Sequence, residues 1–406
     1  MDAKKFKEYK EKVSIIEVAV SLGYKFDPSK GRPRPNFVLT DNRGNETDRI
    51  IITNPTDSSQ QGYWRRYGSS GTTKGDLISF IKEHINEFPV SGRNEIDKIN
   101  NILAKFANEV REDFSKEEFL KKNGIREAKP FDLKRYKMDR ILTPNEVSEA
   151  MCFFRQRGIT QDTLEQFKTF IVRITDTQAR YKYKNLAFPY RKAGSREIEG
   201  FEIRGLNGFK GKTEGGNSSS AVWWVDFTKN NPINVKNVYF AESAFDIMAF
   251  YQANKARLDL ATSAFVSVGG SFSDEQVVSL MKHYASAKPI DCFDNDLPGR
   301  LYGIRMMLLM EGRDLKVHPN EDNTAQVFEV GGKTFEIPNE EVSLTSLRKN
   351  LPDLRYKAGE WKAPKDFKDW NDAVLNKPWR EVDAGTSKAQ HLEELREERK
   401  TTTFKR

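Results

Sequence analysis

Apolar positions at the start of the chain recur at three- and four-residue spacing: Phe6, Tyr9, Val13, Ile16 and Val20. That spacing predicts an amphipathic helix over 3–22, with Gly23 placed as its C-terminal cap. Short runs punctuated by Pro and Gly over 35–67 read as strands, clearest at 49–53 and 62–67. A Ser/Gly/Thr turn at 68–74 leads into a helix at 76–84, and 93–110 is also helical in pattern. Residues 115–140 are dense in Lys and Arg with few apolar runs, which predicts a basic linker. Helical spacing returns over 143–170, around Phe153, Phe154 and the turn Arg157-Gly158-Ile159. Short strands then dominate at 185–190, 197–204 and 222–227, with a polar Gly/Ser/Lys loop over 205–220.

From 235 the pattern becomes an alternation of strand and helix. Strands fall at 238–242, 265–268, 289–294 and 315–318, with helices at 243–254 and 299–311. Another helix opens at Ser273, with Gln276 three residues on, a capping-box pair. Such alternation predicts a mostly parallel sheet covered by helices. A β-hairpin over 326–338 turns at Gly331-Gly332, and a charged helix with a basic end follows 385.

Composition places this pattern in a folded protein. Hydrophobic residues make up 37% of the 406, and the 27 Phe and 6 Trp are spread along the chain. No apolar run approaches a membrane span, and the first residues lack a signal peptide's apolar core, so a cytoplasmic protein without membrane association is expected. Lys and Arg outnumber Asp and Glu by 67 to 59, a net charge of +8 that fits a polyanionic partner. The two cysteines and four histidines are not at zinc-ligand spacing, which argues against a zinc site or a histidine-based hydrolase.

The candidate chemistry lies in carboxylates. In an open α/β sheet, functional groups gather at the carboxyl ends of the strands. Glu242 ends one predicted strand, Asp294 ends another, and Asp296 points the same way if the extended backbone continues. Asp246 lies one helical turn after Glu242, on the same face if the helix starts promptly. Oxygen ligands at this density suit Mg²⁺ or Mn²⁺ and phosphoryl transfer, although strand-end acids also serve as helix caps.

The stretch 238–252, carrying Glu242 and Asp246, resembles the first Toprim motif of bacterial DnaG-type primases. Phe293-Asp294-Asn295-Asp296, with Gly299 after it, resembles the second, and Gly269-Gly270 resembles the glycine turn between them. The run Lys365 to Asp372 resembles the Asp-rich ending of Toprim domains in phage and plasmid primases. Upstream, Arg157-Gly158-Ile159, Phe188-Pro189 and Gly200-Phe201 with Arg204 resemble the primase polymerase core. The front end is similar in element order to the family's zinc-ribbon domain without its ligands, so no zinc is expected. Ser243 departs from the glycine usual after the glutamate.

The resemblance implies an α/β fold: a Toprim-type mostly parallel sheet flanked by helices, preceded by a mixed α+β primase subdomain and a small N-terminal α+β domain. Its expected boundaries are 1–112 for the N-terminal domain, 113–142 for the basic linker and 143–234 for the primase subdomain. Toprim follows at 235–380 with an insertion at 319–362, and a charged tail at 381–406. It implies a small primase of plasmid or mobile-element type, making short RNA primers on single-stranded DNA from nucleoside triphosphates with Mg²⁺ or Mn²⁺. A separate helicase is a further partner on this reading. Glu242, Asp294 and Asp296 would act in catalysis and hold metal, with Asp246, Asp369 and Asp372 in support. Arg157, Arg204, Lys212 and Asn217 would meet template or nucleotide, as would Arg65 and Arg66 beside Trp64 and Tyr67. Two alternatives stay open: an OLD-like Toprim nuclease, as in phage defence, and a catalytically inactive DNA-binding accessory protein.

Overall fold

The computed structural model describes residues 3–379, apart from 42, 43, 45, 68–70, 109–113, 128, 207, 229, 230, 321 and 357. The predicted tail, 381–406, lies outside the described residues. The chain forms two compact units. One comprises Met1–Asp132, Thr213–Gly216 and Glu311–Asp353; the other comprises Leu133–Lys212, Asn217–Met310 and Leu354–Arg406.

In the first unit, two helices, Ala3–Lys12 and Ile15–Ser21, replace the single helix expected over 3–22. Ser14 makes the break. It adopts an extended conformation, accepts the Ile16 N–H and donates its hydroxyl to Gln61 Oε1 at 2.9 Å. Serine favours such a cap over a helix interior because its side chain competes for backbone partners. Five strands follow, each antiparallel to the next: Lys25–Asp27, Asn36–Thr40, Glu46–Thr53, Gly62–Tyr67 and Gly71–Gly75. Their inner face buries Phe37, Ile50, Ile52 and Tyr63 against Ile15, Ile16 and Phe80.

The expected linker does not exist as such. Its first half holds the helix Lys116–Asn123, capped by Ser115 and closed by Gly124 in the left-handed region. Leu120 and Ile125 are buried in the first unit's core, and Phe119 stacks on Phe37 with ring centroids 5.9 Å apart. Few apolar side chains are enough to dock a short helix, and the flanking lysines hide them in the sequence. The second half holds the strand Tyr136–Arg140 of the second unit.

The segment 315–338 forms a three-stranded antiparallel sheet: Leu315–Pro319, Ala325–Val330 and Lys333–Pro338. Gly331 and Gly332 turn the hairpin with φ of 57° and 81°, as a tight two-residue turn requires. Leu315–Pro319 was expected in the parallel sheet, but it pairs with Ala325–Val330. Only Val317 in it is buried, whereas a strand of a covered parallel sheet is apolar on both faces.

The second unit contains two sheets. The first is antiparallel, in the order Lys210–Lys212, Gly200–Arg204, Lys184–Tyr190, Val172–Asp176, Tyr136–Arg140. The helices Pro144–Arg155 and Gln161–Phe167 connect its first two strands in the chain. The second sheet runs Trp223–Asp226, Ser263–Ser267, Asn237–Ala241, Lys288–Asp291, Gly359–Glu360, parallel except for Trp223–Asp226. This is the mostly parallel Toprim-type sheet expected, without Leu315–Pro319 and with two strands gained. Trp223–Asp226 was assigned to the preceding subdomain, and Gly359–Glu360 to the insertion. The chain passes from Asn237–Ala241 to a neighbour on one side, then to Lys288–Asp291 on the other. Such a reversal opens a crevice at the carboxyl ends of the strands.

Candidate metal centre

Three chain segments end at that crevice. Glu242 follows the strand Asn237–Ala241 directly. Ser243 then caps the helix Ala244–Asn254, accepting the Asp246 N–H and donating its hydroxyl to Asp246 Oδ2 at 2.6 Å. Glu242 therefore precedes the helix and shares no helix face with Asp246. The two approach through the turn instead. Asn371 donates to the other Asp246 carboxyl oxygen.

The strand Lys288–Asp291 stops three residues before Asp294, so Asp294 and Asp296 sit on a loop rather than on an extended run. Asp296 accepts the Gly299 N–H at 2.9 Å, at the start of the helix Leu297–Met310. Gly299 is required there, because a Cβ would lie 2.3 Å from the Asp294 carbonyl oxygen. One carboxyl oxygen each from Glu242, Asp294 and Asp296 falls within 4.8 Å of the others. Asp294 is buried, and the other two are half-buried.

Burial, reinforced by crowding of like charge, dominates the electrostatics. Burial, then Asp296 and Asp246, pushes the Glu242 carboxyl up to about 8. Burial, then Asp246 and Glu242, pushes Asp294 up to about 10. Asp246 rises to about 6 through burial and Asp369. Lys368 bridges the cluster, 3.5 Å from Asp294 and 3.3 Å from Asp296. Burial disfavours its charge, but the two acids override this and raise its pKa. Glu242 Oε1 is buried without a hydrogen-bond partner among the described residues. Converging hard oxygens, an unpartnered carboxylate atom and a cation already drawn between two of the acids all fit a divalent metal ion.

Glu242, Asp246, Asp294 and Asp369 line a cavity of about 460 Å³ together with Arg157, Arg204, Lys210 and Lys212, whereas Asp296 is not in its lining. Asp369 also caps the helix Trp370–Leu375, accepting the Asp372 N–H at 2.7 Å. Asp372 is half-buried in that helix's first turn and does not line the cavity. Arg157 and Arg204 lie over the Phe245 ring, 5.6 and 5.9 Å from its centroid, and Arg204 pairs with buried Glu202. Lys212 lies 5.6 Å from the Tyr190 ring centroid. Gly269, with φ of 71°, packs against both: a Cβ there would meet Tyr190 Oη at 2.0 Å and Lys212 Nζ at 3.3 Å.

Two other expected residues lie elsewhere. Asn217 holds its own turn, accepting the Ser219 and Ser220 N–H groups and donating to Glu199, and it does not line the cavity. Arg65 points into the first unit, 4% exposed, between Asp48 at 2.8 Å and Glu83 at 2.5 Å. Strand alternation turns it inward with Tyr63, so it presents no guanidinium to a template. The Arg66 side chain lies outside what the structure describes.

Sequence reasoning missed Lys368, although it lies inside the Asp-rich Lys365–Asp372 run. It also missed the buried pair Asp291–Lys362, at 2.7 Å. Lys362 further donates to the carbonyls of Phe293 at 3.1 Å and of Asp294 and Gly299 at 3.4 Å each. It thereby ties down the loop that carries the acids. No local signal marks this pair, because 71 residues separate its members.

Residues 239–323 match a protein-family model described as Toprim-like, so this segment is similar to a Toprim domain. No curated protein matches the sequence. Among solved structures, the chain is similar to the primase fragment of the bacteriophage T7 primase-helicase protein, at 12% identity and a TM-score of 0.33, covering 63% of this chain and 81% of that one. It is also similar to the DnaG primase catalytic domain bound to single-stranded DNA, at 14% identity and a TM-score of 0.31, covering 60% and 74%. A DNA primase domain from Pseudomonas aeruginosa follows at 18% identity and a TM-score of 0.28, covering 40% and 59%. Among the described residues, no helix is long and apolar enough to cross a membrane.

Proposed function

We propose that this protein is a primase-type enzyme that joins nucleotides into short RNA on single-stranded DNA. One observation carries the reading: a single cavity is lined both by the carboxylates Glu242, Asp246, Asp294 and Asp369 and by the cations Arg157, Arg204, Lys210 and Lys212. A nucleoside triphosphate needs both, a divalent ion on its phosphates and cations along its remaining charge. Glu242, Asp294 and Asp296 would hold Mg²⁺ or Mn²⁺, with Asp246 and Asp369 beside them. When bound, the ion neutralises phosphate charge and favours the 3′-hydroxyl as nucleophile. Ser243 and Asn371 orient Asp246, and Lys362 holds the loop of Asp294 in place. Arg157 and Arg204, braced on Phe245, face the phosphates. A separate helicase remains a candidate partner.

The test uses single-stranded DNA, labelled ribonucleoside triphosphates and Mg²⁺ or Mn²⁺, scored for synthesis and degradation together. Short labelled RNA that requires template and metal is the expected result. Shortened DNA without synthesis would replace the proposal with a nuclease, and DNA binding without either would leave an accessory protein.

A further inference from the structure

We infer that the loop 177–183 of the second unit, with the strand start beside it, is a stacking platform for unpaired bases, a binding site apart from the metal cavity. The loop joins the antiparallel strands Val172–Asp176 and Lys184–Tyr190 and ends in the run Arg180-Tyr181-Lys182-Tyr183-Lys184. All five residues are exposed. Tyr181 and Tyr183 are 59% and 67% exposed, with ring centroids 5.9 Å apart and planes tilted by 36°. The Arg180 guanidinium sits over the Tyr181 ring at 5.3 Å. Lys184 is held by Asp139 at 3.0 Å, and Lys182 by the Thr177 carbonyl. Cations thus alternate with two rings that each stay more than half exposed.

The surface extends toward the cavity. Leu186 and Lys210 both register with Arg204, so the chain leaves the strand Gly200–Arg204 at the same end of the sheet as the tyrosines. Leu206 and Phe209 follow there, 49% and 56% exposed. Half of the eight large apolar side chains most exposed among the described residues collect at this one end. Such clustering marks a binding surface rather than scattered exposure. Lys210 and Arg204, at its inner edge, line the metal cavity.

The alternation selects the ligand. Every unpaired base offers a π-face to stack on tyrosine, and the phosphates between bases suit the interleaved cations. A duplex hides its base faces. The assignment to single-stranded DNA rests on the proposed function above, and it adds a grip on the strand outside the reaction site.

The test compares a labelled oligothymidylate with an abasic oligonucleotide of equal length and charge, using full-length protein and fluorescence anisotropy. Tyr181→Ala with Tyr183→Ala is expected to weaken oligothymidylate binding by about 5- to 100-fold, the loss typical of one stacked base. Abasic binding and the salt dependence should stay as in the wild type, and Tyr181→Phe with Tyr183→Phe should keep the affinity. Unchanged oligothymidylate affinity in the Ala pair overturns the platform alone, including where the pair alters self-association instead. An equal loss on the abasic strand also overturns it, since the tyrosines would then act through the fold. Wild-type protein that binds neither strand overturns the platform and the proposed function together. Wild-type synthesis with unaltered binding by the Ala pair sinks only the platform.

Discussion

Lys362 serves two ends with one ammonium group: it neutralises Asp291, and it tethers the carbonyls around Asp294. Burial pushes the Asp291 carboxyl up, and Lys362 beside it pulls it back. Gly303 makes room for that carboxyl, since a Cβ would meet Asp291 Oδ2 at 1.8 Å. Lys362→Met should therefore lower stability by about 3–5 kcal/mol, the cost of leaving a buried charge unpaired. Asp291→Val with Lys362→Met should recover much of that loss in denaturant titration, while metal-dependent activity stays reduced because the tether is gone. Full activity in the folded double variant would contradict the tethering role. At the acids themselves, Asp294→Asn relieves the crowding that lifts Glu242 and Asp294. Its melting temperature should equal or exceed the wild type without metal, while nucleotide joining falls by orders of magnitude. A melting scan beside the synthesis assay checks both.

At the scale of elements, the capping residues carry the local energetics. The helix Pro144–Arg155 begins with a capping box in which Thr143 accepts the Glu146 N–H and Glu146 accepts the Thr143 N–H. Removing such a cap by Thr143→Ala should lower stability by about 0.5–2 kcal/mol. Hydrogen bonds from the Thr143 and Leu142 backbone hold the Glu146 carboxyl at about 2, below its ordinary 4.5. The fold thus favours the ionised form, so its contribution is complete above the ordinary value and is lost as pH falls through about 2. Glu146→Gln should melt below the wild type at neutral pH, and the gap should close over that acidic window. A gap independent of pH would refute the charged cap. The box at Ser273 and Gln276 was legible from two residues three apart, and it is present. The helix Lys116–Asn123 was not, because its docking rests on Phe119 and Leu120 reaching a core built mostly from residues before it.

At the scale of the molecule, each unit carries its own core. Arg65 belongs to the first, packed among Asp48, Glu83 and His84. Arg65→Ala strands those acids around a buried site. Hydrogen-exchange protection should fall across Glu46–Thr53, Gly62–Tyr67 and Leu77–Glu83, while the salt dependence of DNA binding stays unchanged. A shallower salt slope would return Arg65 to the template path.

Local chemistry in the sequence determined the strand–helix alternation from 235, the glycine turns, and Glu242, Asp294 and Asp296 as a converging set. Each depends on neighbours a few residues away, through periodicity, capping or the strand-end rule. Tertiary structure alone decided that Gly359–Glu360 joins the parallel sheet while Leu315–Pro319 leaves it. It also decided that Arg65 is buried and that Lys362 meets Asp291. Strand partners and buried ion pairs depend on which distant segments exclude water from one another, and a linear pattern of charges does not record that.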